Sequence, residues 1–319
     1  MTDETDPAGP VTVLREGVHG TPVETYAAAL RDRLDCEVRL ARTPDEEREL
    51  VADARVVTGP RMDEELLGAA ESLDLFAGVF AGHSHLPLSA FEERGVAVTN
   101  AVGVHAPNVA EHVVGSVLAF SRRFHVGRRR AERGEWRSYP TGELQGSTVA
   151  VVGLGAIGSA VVERLEPFGV HTVGVRRDPS AGGPTDEVYG PDGFHAAVAD
   201  ADYVVLACPL TEATRGLVAR EALRTMRDDA VLVNVARGQV VDTEALVETL
   251  RRGGLAGAAL DVTDPEPLPP DHPLWGFGNV QSTPHNAGST PRYYDRLADL
   301  VAGNVGRLAR GESLTNRVV

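Results

Sequence analysis

The 319-residue sequence contains no lysine: all 31 of its cationic side chains are arginine, set against 46 Asp and Glu for a formal net charge of -15. Duplex nucleic acid is repelled by so acidic a chain. Arg-favouring codons account for the missing Lys but not for the acidic excess. A surface rich in carboxylates and free of long Lys stems holds a shell of water and cations, the composition expected of a protein that works in molar salt. Cysteine is nearly absent. Cys36 and Cys208 fall in apolar, strand-like runs, where a thiol serves as a small hydrophobe, so no disulfide framework is expected. No run of about 18 apolar residues occurs, which excludes an obvious membrane-spanning helix. The first ten residues, MTDETDPAGP, are acidic and polar, unlike a secretory signal, so a cytoplasmic protein is expected. With 42% hydrophobic and 24% charged residues the composition is that of a folded globular chain, and the length suggests two domains at roughly 150 residues each.

What the chain does contain is an alternation of short β-branched runs and helical stretches. From Val11 to Val98 the runs are Val11–Leu14, Cys36–Leu40, Arg55–Thr58, Leu75–Val79 and Val96–Val98, separated by helical patterns of about 8–12 residues. Such spacing predicts βα units and a parallel sheet. A long amphipathic helix is expected from Ala106 to about Arg130, its basic end (Arg122–Arg133) facing acidic neighbours, and then a loop from Trp136 to Gly146. A second α/β series follows, with strands at Thr148–Val152, Thr172–Val175, Tyr203–Ala207, Ala230–Val235, Leu255–Leu260 and Val280–Ser282, and a last helix at Pro291–Arg310.

The second series carries the chemistry. Gly153-Leu154-Gly155-Ala156-Ile157-Gly158 follows a strand and opens a helix, the arrangement that receives a dinucleotide pyrophosphate: Gly153 for the turn, Gly155 for close approach, Gly158 for helix packing, and the amides of the first helical turn for the anion. At the end of the next strand, where an acid usually reads the ribose of NAD, stand Arg176 and Arg177. Guanidinium groups suit the 2′-phosphate of NADP, so NADP(H) is the expected cofactor, with NAD(H) accepted less well. Asp178, two residues on, is the alternative ribose partner. Three polar segments follow later strands: Asn234 to Asp242 around Arg237, Asp261 to Leu268 around Glu266, and Thr283 to Gly288 around His285. Arg, Glu and His are the set needed to bind an anionic substrate and move a proton.

These motifs, with His272-Pro273-Leu274-Trp275 and, in the first half, Gly78 to Leu88, Val98-Thr99-Asn100 and Val109-Ala110-Glu111-His112, closely resemble the D-isomer-specific 2-hydroxyacid dehydrogenase family. The acidic, Lys-free composition makes the chain most similar to haloarchaeal members. The resemblance implies two doubly wound α/β domains: a flavodoxin-like substrate domain (1–98 and 289–319) and, inserted in it, a nicotinamide-binding Rossmann domain (99–288). It implies a homodimer held by the long helix, and reversible reduction of a 2-keto acid to a D-2-hydroxy acid. Arg237 would grip the substrate carboxylate and carbonyl, His285 would be the acid/base and Glu266 its partner. Asp261 would hold the nicotinamide carboxamide, with Cys208, Pro209, Thr214, Ala236 and Gly288 completing the cofactor set. Backbone amides of Val79, Phe80, Ala81 and Gly82 would bind the carboxylate. Phosphoglycerate dehydrogenase, formate dehydrogenase and a dinucleotide-sensing corepressor are the rival readings; a carboxylate at position 266 argues against formate, and the chain's end soon after the last helix argues against a regulatory phosphoglycerate enzyme. His83-Ser84-His85 stands where many members have Gly-x-Asp. No third ligand accompanies that His pair, so no metal is expected, and Phe80 and His83 are candidates to shape the substrate pocket.

The charge balance generates one expectation at once. Self-repulsion at low ionic strength should be relieved as salt screens it, so the thermal midpoint should climb through a potassium chloride series into the molar range; a midpoint that stays flat or falls would contradict adaptation to salt.

Overall fold

The computed structural model describes residues 9–319, which divide into two compact units, 9–104 with 289–319 and 105–288. In the first unit, strands β1 (Val11–Val13), β2 (Val38–Leu40), β3 (Val56–Gly59), β4 (Leu75–Gly78) and β5 (Ala97–Thr99) form a parallel sheet in the order β2-β1-β3-β4-β5. Helices α1 (Val23–Arg31), α2 (Pro44–Val51), α3 (Glu64–Ala69) and α4 (Leu88–Glu93) make the crossovers. Side-chain caps start two of them: Thr43 accepts from the Glu46 amide and Asp63 from the Leu66 amide. Residues 99–104 stay with this unit, six residues beyond the expected boundary, because Asn100 N donates to Asn316 O and Ala101 N to Phe80 O.

The second unit opens with α5 (Ala106–Ser121) and α6 (Phe124–Glu132), where a single long helix was expected. The break lies at Arg123, which takes a left-handed conformation (φ 52°), while the Ser121 carbonyl accepts from Gly142 N and so cannot continue the helical ladder. The basic segment also differs from expectation. Arg130 donates to the carbonyls of Arg137 and Ser138 and lies over the Tyr139 ring, and only Arg128 pairs locally with an acid, Glu132.

Seven parallel strands follow: β6 (Thr148–Val152), β7 (His171–Val175), β8 (Glu187–Tyr189), β9 (Tyr203–Leu206), β10 (Val231–Asn234), β11 (Gly257–Leu260) and β12 (Val280–Ser282), ordered β12-β11-β10-β9-β6-β7-β8. Helices α7 (Ala156–Leu165), α8 (Phe194–Ala199), α9 (Arg220–Thr225) and α10 (Thr243–Arg251) cover the two faces, and α11 (Tyr293–Ala309) returns to the first unit. Successive side chains of a strand point to opposite faces, and here each face has its own core. Ala150, Val152, Val204, Leu206 and Leu232 pack on one side; Val149, Val151, Tyr203, Val205 and Val233 pack on the other. Strands buried on both faces read as continuous apolar runs, which is why these runs were legible.

Strand β8 was not foreseen. It is a three-residue, half-exposed edge strand tied to β7 by Asp186, whose carboxylate accepts from the Thr172 amide and hydroxyl. The two cysteines lie just outside the strands they were assigned to, Cys36 before β2 and Cys208 after β9, with Cys208 buried. No described helix is long and apolar enough to cross a membrane.

Candidate active site

Both sheets deliver their loops at the carboxyl ends of the strands, the usual place for a site in this architecture. In the seven-stranded sheet the order turns back between β6 and β9, and the glycine loop leaves β6 there. Gly153 has φ +99°, and a Cβ on it would lie 2.7 Å from the backbone of Cys208, so only glycine serves. A Cβ on Gly158 would run into the Gly153 carbonyl, which fixes how closely α7 approaches its strand. Above Gly155, in contrast, there is open space. The amides of Ala156, Ile157 and Gly158 begin α7 and have no intrahelical acceptor. The open space and the free amides leave room and donors for a pyrophosphate.

Around it, Thr214 closes the loop after β9, donating to Pro209 O and accepting from Thr211 N. Burial pushes the Cys208 thiol pKa up, so it is a packing group beside Gly153. A Cβ on Gly288 would lie 3.6 Å from the His105 ring, an ordinary contact. At the end of β7 the Arg176 guanidinium donates to Gly182 O at 2.5 Å, while Arg177 is exposed and has no hydrogen bond or ion pair among the described residues. Asp178 accepts from the Ser180 hydroxyl and amide, and these bonds hold its carboxyl below the usual range. That carboxylate therefore caps the turn at Pro179–Ala181.

The three polar segments leave adjacent strands. Register pairs Asn234 with Leu260 and Leu260 with Ser282, so Arg237, Asp261 and His285 stand one to three residues beyond neighbouring strand ends. Asn234 shapes the first loop: its amide donates to Arg237 O and its oxygen accepts from Ala236 N. Gly238 passes so close to the Thr263 carbonyl that a side chain would collide with it. Arg237 is exposed, with one guanidinium nitrogen donating to Ala236 O.

His285 Nδ1 meets Glu266 Oε1 at 2.7 Å, with the two side chains 49% and 41% exposed. The backbone of His285 is left-handed (φ 51°), an uncommon conformation for an L residue that its surroundings hold in place. Those surroundings centre on Asp261, which is 4% exposed. Its Oδ1 accepts from the Thr283 hydroxyl at 2.6 Å and from Asn286 N at 2.7 Å, its Oδ2 accepts from Ala287 N at 3.0 Å, and its own carbonyl accepts from His285 N at 2.8 Å. From α5, Asn108 donates to Ala287 O, and His112 Nε2 lies 3.4 Å from the Thr283 hydroxyl. The structuring roles of Asn108, Thr283 and His112 carried no sequence signal, because their partners lie between 22 and 179 positions away.

In the first unit the loop after β4 has a distinct pattern. Its carbonyls are tied back: Val79 O accepts from the Tyr293 hydroxyl, Phe80 O from Ala101 N, and Ala81 O from the Asn100 side chain. The amides of Phe80, Ala81 and Gly82 have no acceptor among the described residues. Three consecutive N–H groups without acceptors are available to an anion. His85 Nε2 contacts Pro60 O, and His83 Nδ1 is buried without a partner.

The chain resembles known proteins along most of its length. Residues 114–287 match the family described as "D-isomer specific 2-hydroxyacid dehydrogenase, NAD binding domain". A glyoxylate reductase of Thermofilum pendens is 39% identical over 272 residues, 81% of this chain and 79% of that protein. A mouse (Mus musculus) glyoxylate reductase/hydroxypyruvate reductase is 32% identical over 326 residues, covering 97% and 99%. Among solved structures, a D-isomer specific 2-hydroxyacid dehydrogenase from Xanthobacter autotrophicus Py2, in complex with NADPH and MES, superposes with a TM-score of 0.79 at 28% identity, covering 97% of this chain and 98% of the other.

Replacing Asp261 by Ala strands several buried donors at a cost of about 1–3 kcal/mol each. Urea denaturation of Asp261→Ala is expected to show a loss of at least about 2 kcal/mol, and hydrogen exchange should show the amides of Asn286 and Ala287 losing protection. Wild-type protection in the variant would mean that the turn is held by other contacts.

Proposed function

The chain belongs to the D-isomer specific 2-hydroxyacid dehydrogenase family, and from that premise we propose that Arg237, Glu266 and His285 carry its catalysis. The protein is an oxidoreductase acting between NAD(P)H and a 2-keto acid, with the 2-hydroxy acid as product and the reaction reversible. The nicotinamide supplies or accepts the hydride; the protein supplies position, charge and a proton. The single observation that carries the assignment is the 2.7 Å contact between His285 Nδ1 and Glu266. It fixes the imidazole and leaves Nε2 to give its proton to the carbonyl oxygen on reduction and to take it back on oxidation. Arg237 has a planar fork suited to holding the carboxylate and polarising the carbonyl. The amides of Val79 to Gly82 serve the carboxylate as well; the Val79 amide is already bonded to Gly59 O, so Phe80, Ala81 and Gly82 are the effective donors.

The cofactor is a nicotinamide dinucleotide bound through Gly153, Gly155, Ala156, Ile157 and Gly158, with NADP(H) preferred. Support for that preference is the pair Arg176 and Arg177 beyond β7, together with an Asp178 carboxylate that already accepts from Ser180. Asp261, through the lone pair left on Oδ2, is assigned to the nicotinamide carboxamide, and Cys208, Pro209, Thr214, Ala236 and Gly288 to the walls of the cofactor cleft. We further propose a homodimer joined through α5 and α6, where Phe124 at the start of α6 and Trp136 just beyond its end expose large apolar surfaces, and a halophilic, cytoplasmic setting consistent with the Lys-free, acidic composition.

Loss of the general acid is expected to lower kcat/KM by about 100- to 10,000-fold in His285→Ala, while fluorescence titration finds cofactor affinity close to wild type. Arg237→Ala should raise KM for the keto acid and lower kcat. Near wild-type kcat/KM in either variant overturns that assignment.

For the cofactor, kcat/KM is measured with NADPH and NADH for the wild type and for Arg176→Ala combined with Arg177→Ala. The wild type should favour NADPH and the double variant should lose that ratio. A wild type that favours NADH, or an unchanged ratio in the double variant, refutes the preference.

A further inference from the structure

The five-stranded sheet reverses its strand order between β1 and β3, and ligands of such sheets lie outside the carboxyl ends of the strands at that reversal. The loops leaving β1, β3 and β4 meet there through rings. Phe80, half-buried, has the His19 ring edge-on at 6.3 Å and the His85 ring edge-on at 5.9 Å. His85 is anchored to the Pro60 carbonyl beyond β3, and His19, in the loop after β1, stands 4.5 Å from the ring of buried Tyr293. Tyr293 in turn donates to the Val79 carbonyl, one residue before Phe80. The ring of Phe80 is thus held from two sides, beside the free amides of residues 80–82.

Several charged side chains of the flanking loops are paired: Arg15 with Glu47 of α2, and Glu16 with Arg61, while Asp63, Glu64 and Glu65 share a recess with His85. Burial lowers the His19 pKa, disfavouring a positive charge on that ring. The segment from Val79 to Leu88 contains no Asp, Glu or Arg at all. Beside the free amides, the apolar group fixed in position to meet a ligand is the Phe80 ring.

We propose that Phe80 determines substrate specificity: its ring packs against the carbon substituent of a 2-keto acid whose carboxylate lies on the amides of Phe80, Ala81 and Gly82, and it selects uncharged, apolar substituents. This deepens the functional reading above and rests on it. His19 and His85 act as positioning residues that keep the ring from rotating away. Each methylene received by an apolar pocket changes kcat/KM by about 10- to 200-fold, so the effect of such a wall is measurable.

The test compares two acids that share carboxylate and carbonyl and differ in substituent: 4-methyl-2-oxopentanoate, with a branched apolar group, and glyoxylate, with hydrogen. The full-length protein in molar potassium chloride should favour the branched acid in kcat/KM by at least about tenfold. Phe80→Ala should reduce that ratio at least about tenfold, and Phe80→Leu, still apolar, should keep most of it. The ratio is insensitive to a general loss of active enzyme, which scales both acids together. Should Phe80→Ala not fold, His19→Ala replaces it and is expected to lower the ratio by freeing the ring. A wild-type ratio near or below one, or a ratio unmoved in the variants, overturns the proposal while leaving the functional reading in place. Preference for hydroxypyruvate over the branched acid also overturns it, and puts the unpartnered His83 nitrogen beside the substituent instead. Absence of turnover with either acid overturns both.

Discussion

Three donors converge on the buried carboxylate of Asp261, and the conformation of the residue most important to the proposed chemistry depends on them. A left-handed backbone at His285 is unfavourable in itself. It persists because the residues around it are bound to one group: the hydroxyl of Thr283 and the amides of Asn286 and Ala287 to the carboxylate, and the amide of His285 to the Asp261 carbonyl. With the backbone so fixed, the imidazole reaches Glu266, and a second carboxylate fixes the ring itself. Asp261 thus acts one bond behind the histidine and Glu266 directly upon it. A buried carboxylate is costly unless its oxygens are satisfied, and here each oxygen has at least one donor. The same bonds that make its burial tolerable make the turn rigid.

That arrangement needs β10, β11 and β12 to end side by side, which the parallel register secures. Register in turn follows from the two-sided cores. A slip by one residue would exchange the inward and outward sets of every strand. With both faces buried, as at Val204 and Val205 or Leu232 and Val233, the penalty is a misfit of shape more than of polarity. Small groups enforce that fit: Gly257 packs against the ring of Phe120, and Gly153 against the backbone of Cys208.

Legibility in the sequence follows the range of the forces involved. Apolar runs such as Thr148–Val152 announce themselves because each residue meets a buried face, and the strand there begins and ends where the pattern does. The glycine loop is legible because steric need leaves no substitute at Gly153 and Gly158. Long-range partners leave no local trace. The helix break at Arg123 depends on Gly142 reaching back to Ser121, and strand β8 depends on Asp186 reaching Thr172. Asn108 reads as an ordinary helical residue until its bond to Ala287 is seen. Arg237, Glu266 and His285 were legible as residue types after strands; the hub role of Asp261 was not, since nothing local says that a carboxylate will turn toward a loop over twenty residues ahead.

A chain with a net charge of -15 has a particular difficulty in binding anions, and the two proposed anion sites answer it in the same way. The field of the whole molecule opposes a pyrophosphate or a carboxylate at long range. At both candidate sites the first contacts are backbone N–H groups: Ala156, Ile157 and Gly158 at the start of α7, and Phe80, Ala81 and Gly82 with their carbonyls tied behind them. Such dipoles act over hydrogen-bond distances, within which salt screens little. At 1 M salt the Debye length is about 3 Å, so the long-range repulsion disappears while the short contacts remain. In the proposed assignment Arg176, Arg177 and Arg237 add charge only where a planar fork can form directed bonds. An acidic surface and anionic ligands are therefore compatible in one molecule, provided that the ligands are held by geometry at close range and not by attraction at a distance.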